Sequence, residues 1–255
     1  MNDRDNDGAD AIPDFEREGL TAILPAYNEE ANIFRAVELV RSALETVTSN
    51  YEIIVVDDGS VDKTRAIAGS LEKEDPRVRV IHHERNRGYG AALRSGFAAA
   101  SKGFCFHTDS DCQFDLSEMR EMALAAVDAD VVAGYRIHRR DLPHRRLSAA
   151  AYNQLLRRVF GLRLRDADCA YKIYRTALVK DIKLSSDSIL ISAEMLIKIS
   201  NAGGRIKEFG VNHHPREKGK QAGNSLRTLA HAPKEPIRLW PELDGRGSGR
   251  RASRP

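Results

Sequence analysis

Two carboxylates set two residues apart, Asp109 and Asp111, with the amide of Gln113 at the next alternate position, are the densest chemistry in this 255-residue chain. They follow Phe104, Cys105 and Phe106, a short apolar run of the kind that fills a buried strand. Carboxylates held this close repel one another, so the pair needs a divalent cation, a shared proton or a basic partner. Hard oxygen donors suit Mg²⁺ or Mn²⁺, which would complete their coordination with water and substrate phosphates. The competing reading is a polar turn capping a helix that starts near Asp115 or Leu116.

Two further apolar runs end in the same way. Leu20 to Pro25 leads into Ala26, Tyr27, Asn28 and Glu29, and Tyr51 to Val56 leads into Asp57, Asp58, Gly59 and Ser60. In an open α/β sheet the carboxyl ends of the strands line the crevice where ligands bind. Three such ends, rich in carboxylates, suit a nucleotide: a carboxylate accepts from ribose hydroxyls or a base N–H, and a tyrosine stacks on the base. The stretch Arg87, Gly88, Tyr89, Gly90 has the wrong spacing for a dinucleotide fingerprint or a P-loop. Its glycines are expected to let the backbone approach a neighbour closely, with contact to a phosphate as the weaker alternative.

The elements that must position these groups alternate along the chain. A helix is expected from near Glu29 to Thr46, where Ile33, Val37, Val40 and Leu44 recur at helical spacing. The β-branched run from Tyr51 suits a parallel strand covered on both faces. Ser60 or Asp62 caps a helix through Ile67 and Leu71 that stops before Pro76. Val78 to Ile81 is the third strand, followed by a helix through Leu93 to Ala100, and the run from Phe104 is the fourth strand. Helix 116–127, strand 130–135, a basic linker, helix 146–160, strand 170–175, helix 188–202 and strand 205–211 complete the pattern. This alternation predicts an α/β fold with right-handed crossovers and a mostly parallel sheet carrying helices on both faces. Residues 1–19, with seven acids against two bases, are expected to be disordered, residues 20–224 to form the domain, and residues 225–255 to be a basic, largely disordered tail.

A hydrophobic content of 42% and a charged content of 30% belong to a soluble globular protein. No stretch approaches the ~18–20 apolar residues of a membrane span, and the amino terminus lacks the order of a signal peptide, so a cytosolic protein is expected. Three cysteines, odd in number and without metal-ligand spacing, argue against a disulfide framework and a zinc site. Cys105 belongs to the core, and Cys112 is a small residue that fits inside the site. The net charge of +3 hides an asymmetry, since Gly203 to Pro255 carries twelve bases against five acids. That tail reads as a solvated end, with nucleic acid or an anionic membrane as alternative contacts.

Five motifs now stand in order: Leu24 to Glu30, Val55 to Asp62, Asn86 to Gly90, Asp109 to Gln113, and Asp168 to Tyr174. In that order they resemble the inverting family 2 glycosyltransferases, most of all the branch of dolichol-phosphate mannosyltransferases and bacterial polyprenyl-phosphate glycosyltransferases. The resemblance covers about Leu20 to Asn224. It implies the nucleotide-diphospho-sugar transferase fold called GT-A. Pro25, Tyr27, Glu29 and Asp57 would contact the nucleotide, with Asp58 nearby, and Asp109, Asp111 and Gln113 would hold Mg²⁺ or Mn²⁺. Arg136, Arg145 and Ser148 match positions that bind an acceptor lipid phosphate, and Arg216 resembles an arginine on a loop over the diphosphate. Asp111, Arg136, Arg145 and Arg216 are thus the implied catalytic set.

The implied reaction moves a sugar from a GDP- or UDP-linked donor to polyprenyl or dolichyl phosphate by inverting displacement. Pre-placed cations stabilise the departing nucleoside diphosphate, and a phosphate nucleophile, already ionised, needs no strong base. Nucleic acid is not an implied partner. Many bacterial members of the branch carry transmembrane helices after the catalytic domain, and no such helix is read here. Work at the cytoplasmic face of the membrane would then use the basic tail or a membrane-protein partner. The alternatives are a family 2 enzyme with a hydroxyl acceptor and an inactive nucleotide-sugar-binding scaffold. Among neighbouring residues, His213 and His214 are expected to fix a loop, and His107 to be a satisfied buried histidine. Arg139, Arg140 and Arg158 read as solvated surface charges. Glu194 is expected either to bind sugar hydroxyls or to hold a packing arrangement.

Overall fold

The computed structural model describes residues 12–137 and 143–219, with the side chains of the second stretch described from residue 151 onward. One seven-stranded sheet contains β1 (Leu20–Ala26), β2 (Tyr51–Asp57), β3 (Val78–His82), β4 (Phe104–His107), β5 (Val131–Arg136), β6 (Lys172–Arg175) and β7 (Ile206–Val211), in the order β3-β2-β1-β4-β6-β5-β7. β1 runs parallel to β2 and β4, β2 to β3, and β5 to β7. The helices are α1 (Pro13–Glu18), α2 (Ile33–Glu45), α3 (Thr64–Glu74), α4 (Tyr89–Ala99), α5 (Met119–Ala126), α6 (Pro143–Phe160), α7 (Thr176–Asp181) and α8 (Ile191–Asn201), with a 3₁₀ turn at Leu116–Glu118 before α5.

The continuous apolar runs of β1 and β2 are buried at every residue because both faces of the sheet are covered. Successive side chains divide between two cores: Leu20, Ala22, Leu24, Ile53, Val55, Phe104 and Phe106 enter one, with α2 and α5. Ile23, Ile54, Val56 and Cys105 enter the other, with α4 and α8. Full burial of an aliphatic or aromatic side chain contributes roughly 1.5–3 kcal/mol, so the middle of the sheet is its most strongly held part.

Three features depart from the expected pattern. The stretch through Gly19 is not wholly disordered: Pro13–Glu18 is helical, and Ile12 and Phe15 are buried, with the Phe15 ring stacked on Phe104 at 4.1 Å. Acid-rich composition hid this short element, which two apolar anchors hold down. The second departure is β6, which runs antiparallel to both β4 and β5. After α6 the chain continues through residues 161–171, where Leu162, Ala167 and Cys169 are buried, before it joins the sheet. That extra length returns the chain so that β6 starts from the opposite edge to β5. The third is α7, a short helix for which the sequence carries no clear periodicity.

The edge of the sheet opposite the strand ends rich in carboxylates carries a buried staple. Glu52, near the start of β2, accepts from Thr21 Oγ1 at 2.8 Å, from Ser101 N at 2.6 Å and Oγ at 2.8 Å, and from Arg79 Nη1 at 2.9 Å. These partners lie near the starts of β1 and β3 and just before β4, so one carboxylate ties four strands. Burial by itself would raise the Glu52 carboxyl, but the bonds from Ser101, Thr21 and Arg79 outweigh it and hold the group below its usual value. A depressed folded-state pKa gives stability that is present above the unfolded value of about 4.3 and lost as pH falls through the folded value. Glu52→Ala should therefore cost roughly 2 kcal/mol at pH 7. In urea titrations the gap from the parent should shrink steadily below about pH 4; a gap that does not change with pH would show that the staple is not ionic.

Candidate functional site

Because β2, β1 and β4 lie side by side and parallel, their carboxyl ends emerge at one edge. Glu29, Asp57, Asp58, Asp109 and Asp111 therefore gather there, and each charge is met by a partner. Asp57 accepts from Ser60 N at 3.0 Å and from His82 Nδ1 at 3.1 Å. The 26–31 and 57–64 loops are laced together: Asn28 N donates to Ser60 Oγ, Val61 N to Asn28 Oδ1, Glu30 N to Asp62 Oδ2 and Lys63 N to Glu30 Oε2. Asn28 holds this geometry with φ 56°, a left-handed conformation that asparagine tolerates better than most residues. Pro25 is buried in β1, and its carbonyl accepts from Ser110 Oγ at 2.8 Å. Tyr27 is half-buried at the strand end.

Asp58 faces inward. Its Oδ1 accepts from His83 Nδ1 at 2.6 Å and Arg87 N at 2.9 Å, and its Oδ2 accepts from Gly88 N at 2.8 Å. The other ring nitrogen of His83, Nε2, lies within hydrogen-bond distance of Ser95 Oγ, at 2.9 Å. A Ser–His–Asp order of this kind can activate a nucleophile, but Ser95 lies within α4 and two backbone N–H groups already load the carboxylate. The arrangement is a strut that fixes the 86–90 loop. That loop does approach a neighbour closely, since a Cβ on Gly88 would lie 2.4 Å from Asp187 O and one on Gly90 2.3 Å from Ser186 O. Gly88 also has φ 97°.

The 86–90 loop delivers Tyr89, which the sequence reading left without a role. Its hydroxyl donates to Asp109 Oδ1 at 3.1 Å. Burial, and then the charge of Asp111, push the Asp109 carboxyl up to about 7, and burial also raises Asp111. Asp111 Oδ1 accepts from Gln113 N at 3.2 Å, while the Gln113 side chain donates through Nε2 to His214 O at 2.8 Å. Among the described residues no group of three His, Cys, Asp or Glu side chains converges as a metal centre.

Arg216 reaches this cluster from the segment after β7. Its Nη2 donates to Glu29 Oε1 at 2.7 Å and Oε2 at 2.6 Å, and its Nη1 lies 3.8 Å from Asp111 Oδ2. Asn32 supports the same carboxylate at 2.8 Å and also donates to Lys218 O at 3.3 Å. Arg136, at the end of β5, is gripped by the buried Asp166 through two bonds of 2.7 and 3.0 Å. Asp166 was missed in the sequence because it lies two residues before the fifth motif. Arg145 and Ser148 fall on the first half of α6 and, like Arg139 and Arg140, lie outside the residues whose side chains are described.

Several neighbours resolve. His107 is buried, but both of its ring nitrogens lack a hydrogen-bond partner among the described residues, so it is not the satisfied histidine expected. It stacks on Tyr174 at 5.7 Å, and burial drives its pKa down, with nearby Lys172 adding to the effect. Lys172 is itself fully buried on β6 and donates to the Cys169 carbonyl. Glu194 holds a packing arrangement: it accepts from Ser185 N, Ser186 N and Lys198 Nζ at 2.6–2.9 Å, which fixes the loop that meets Gly88 and Gly90. His213 and His214 fix the segment after β7, through a bridge to Phe114 and a bond of 2.7 Å from His214 N to Gln113 O.

The chain matches the family model described as Glycosyl transferase family 2 over residues 21–183. It is 31% identical over 214 residues to the dodecaprenyl-phosphate galacturonate synthase of Rhizobium johnstonii, covering 82% of this chain and 63% of that protein. It is 29% identical over 203 residues to the undecaprenyl-phosphate 4-deoxy-4-formamido-L-arabinose transferase of Yersinia enterocolitica, covering 78% and 61%. The chain thus spans less than two thirds of the length of these relatives. Glucosyl-3-phosphoglycerate synthase from Mycobacterium tuberculosis, solved with Mn²⁺, UDP and glucosyl-3-phosphoglycerate, superposes with a TM-score of 0.70 over 91% of this chain and 82% of its own, at 17% identity. At that identity the likeness shows the fold, which is GT-A. The parallel strand ends and their ordered motifs, with these matches, make this chain a member of glycosyl transferase family 2, homologous to polyprenyl-phosphate glycosyltransferases.

Proposed function

We propose that this chain transfers a sugar from a GDP- or UDP-linked donor to a polyprenyl phosphate, with inversion at the anomeric carbon, at the cytoplasmic face of a membrane. The observation that carries this reading is the side-by-side parallel run of β2, β1 and β4, which brings Asp57, Glu29, Asp109 and Asp111 to one edge. Relatives named as transferases to dodecaprenyl and undecaprenyl phosphate support the acceptor.

Asp57 and the laced 26–31 loop, with Pro25 and Tyr27, would take the nucleotide, and Glu29 would take it once freed from Arg216. Asp58 would act on the nucleotide through the loop it fixes. Asp109 and Asp111, with the amide of Gln113, would hold Mg²⁺ or Mn²⁺. They fit such an ion, since both are hard oxygen donors whose raised carboxyls are short of positive charge as they stand. When bound, the ion supplies positive charge against the departing diphosphate. Arg216, poised between Glu29 and Asp111, would take diphosphate oxygens with its guanidinium fork. Arg136, oriented by Asp166, would aim the acceptor phosphate together with Arg145 and Ser148. The acceptor is ionised at neutral pH, so none of these residues is asked to remove a proton.

The test is transfer of radiolabel from a panel of UDP- and GDP-sugars to polyprenyl phosphate in detergent, with Mn²⁺ or EDTA. Label should enter the organic phase with one class of donor, and EDTA should abolish it. Asp111→Ala should lower transfer by roughly a hundredfold or more, the scale of losing an electrostatic stabiliser. Label appearing only in aqueous products would point to a hydroxyl acceptor, and donor binding without any transfer to a scaffold; either outcome overturns the lipid-phosphate reading. Arg216→Ala should reduce kcat by about a hundredfold while thermal unfolding stays cooperative. An unchanged kcat would remove Arg216 from the reaction.

A further inference from the structure

Each of the three candidate ligands after β4 has one of its two terminal polar atoms already engaged by the protein. Asp109 Oδ1 accepts from the Tyr89 hydroxyl at 3.1 Å, Asp111 Oδ1 accepts from Gln113 N at 3.2 Å, and Gln113 Nε2 donates to His214 O at 2.8 Å. One oxygen therefore remains on each. Oδ2 of Asp109 has no hydrogen-bond partner among the described residues, Oδ2 of Asp111 stands 3.8 Å from Arg216 Nη1, and Gln113 keeps Oε1. Two of the three restraints come from backbone groups, the Gln113 amide and the His214 carbonyl. The third comes from a side chain, Tyr89, at the first position of α4. Its backbone is pinned on both sides, since Gly88 N donates to Asp58 Oδ2 at 2.8 Å and Gly90 N to Asp187 O at 2.9 Å. The hydroxyl makes no other hydrogen bond among the described residues. A ring anchored in this way holds Asp109 in one orientation with little further loss of side-chain freedom.

We propose that Tyr89 is a positioning residue that, by occupying Oδ1 of Asp109, makes this carboxylate a one-oxygen ligand and so selects Mg²⁺ or Mn²⁺ over Ca²⁺. The proposal rests on the reading that Asp109 and Asp111 hold the ion. Mg²⁺ demands a compact octahedron, filled by one or two carboxylates with water and substrate phosphates. Single oxygens from Asp109, Asp111 and Gln113 supply a fixed share of such a shell and leave its other positions to the diphosphate. Ca²⁺ takes about six to eight oxygens at longer range and readily grips a carboxylate by both of its oxygens. With one oxygen of each aspartate held by a donor from the chain, neither is turned to offer that grip. Partners behind metal ligands fix orientation in this way, and Tyr89 is the one of the three restraints that a side-chain substitution removes without touching the backbone.

Binding of Mn²⁺ to the full chain with UDP or GDP, followed by electron paramagnetic resonance with Ca²⁺ as competitor, tests this role. With one of the two nucleotides the parent should bind Mn²⁺, and Ca²⁺ should displace it only in large excess. Tyr89→Phe should lower the Mn²⁺ affinity about tenfold, the scale of losing a partner behind a metal ligand, while the Ca²⁺ affinity holds or rises. Its thermal unfolding should stay cooperative. An unchanged Mn²⁺ affinity in Tyr89→Phe, or a loss shared equally by Ca²⁺ as a merely structural role would give, overturns the proposal. A parent that binds Ca²⁺ as tightly as Mn²⁺ overturns it without any variant. Asp111→Ala separates this role from the metal reading itself. If that substitution leaves Mn²⁺ binding intact, or the parent binds no Mn²⁺ with either nucleotide, the assignment of the ion to Asp109 and Asp111 falls and takes the role of Tyr89 with it. If Asp111→Ala abolishes binding while Tyr89→Phe matches the parent, the role of Tyr89 falls alone.

Discussion

Negative charge crowded at one sheet edge is the constraint around which the molecule is arranged. Parallel strands must end together, so the carboxylates of β2, β1 and β4 arrive within a few residues of one another whether or not they attract. Each is met differently: Asp57 by His82 at the end of β3, Asp58 by His83 just beyond it, Glu29 by Arg216, Asp109 by Tyr89. Burial raises the carboxyls of Asp109 and Asp111, and the Arg216 guanidinium stands 3.8 Å from Asp111. A divalent ion would be held most firmly where the protein's own compensation is weakest.

Rigidity around that edge comes from loops that brace one another rather than from the strands alone. Asp58 holds the 86–90 loop through its backbone, and that loop's glycines meet the 185–188 segment, which Glu194 fixes in turn. Tyr89 at the centre of this bracing touches Asp109. A side chain larger than hydrogen at Gly90 would collide with backbone, so the loop position, and with it the tyrosine, is set by close contact. The opposite edge, where Glu52 staples four strand starts, carries stability without touching ligand chemistry.

In the proposed reaction Arg136 would be held ready for an external phosphate. Alone, it would be one more flexible cation; clamped by buried Asp166, it has its fork oriented before any ligand arrives.

How much of this was legible in the sequence follows from the range of each interaction. Apolar runs ending in Pro25 to Glu29, Asp57 to Ser60 and Asp109 to Gln113 gave away the strands and the common edge, because burial on both faces demands continuous apolar residues and ligand chemistry demands polar ends. Even the close approach of Gly88 and Gly90 was readable, since few other reasons place two glycines there. The helix Pro13–Glu18 was not, because its two anchors, Ile12 and Phe15, are outnumbered by charge. The reversal of β6 was equally hidden, as alternation of elements says nothing about the direction in which a chain rejoins a sheet. Partner choice was decided by tertiary structure alone: Arg216 finds Glu29 across 187 residues, and Asp166 takes Arg136 across 30. The sequence by itself determined which residue types would reach the edge, through local periodicity and burial. Which charge compensates which was left to the folded chain, because ion pairing depends on distances that only the assembled sheet creates.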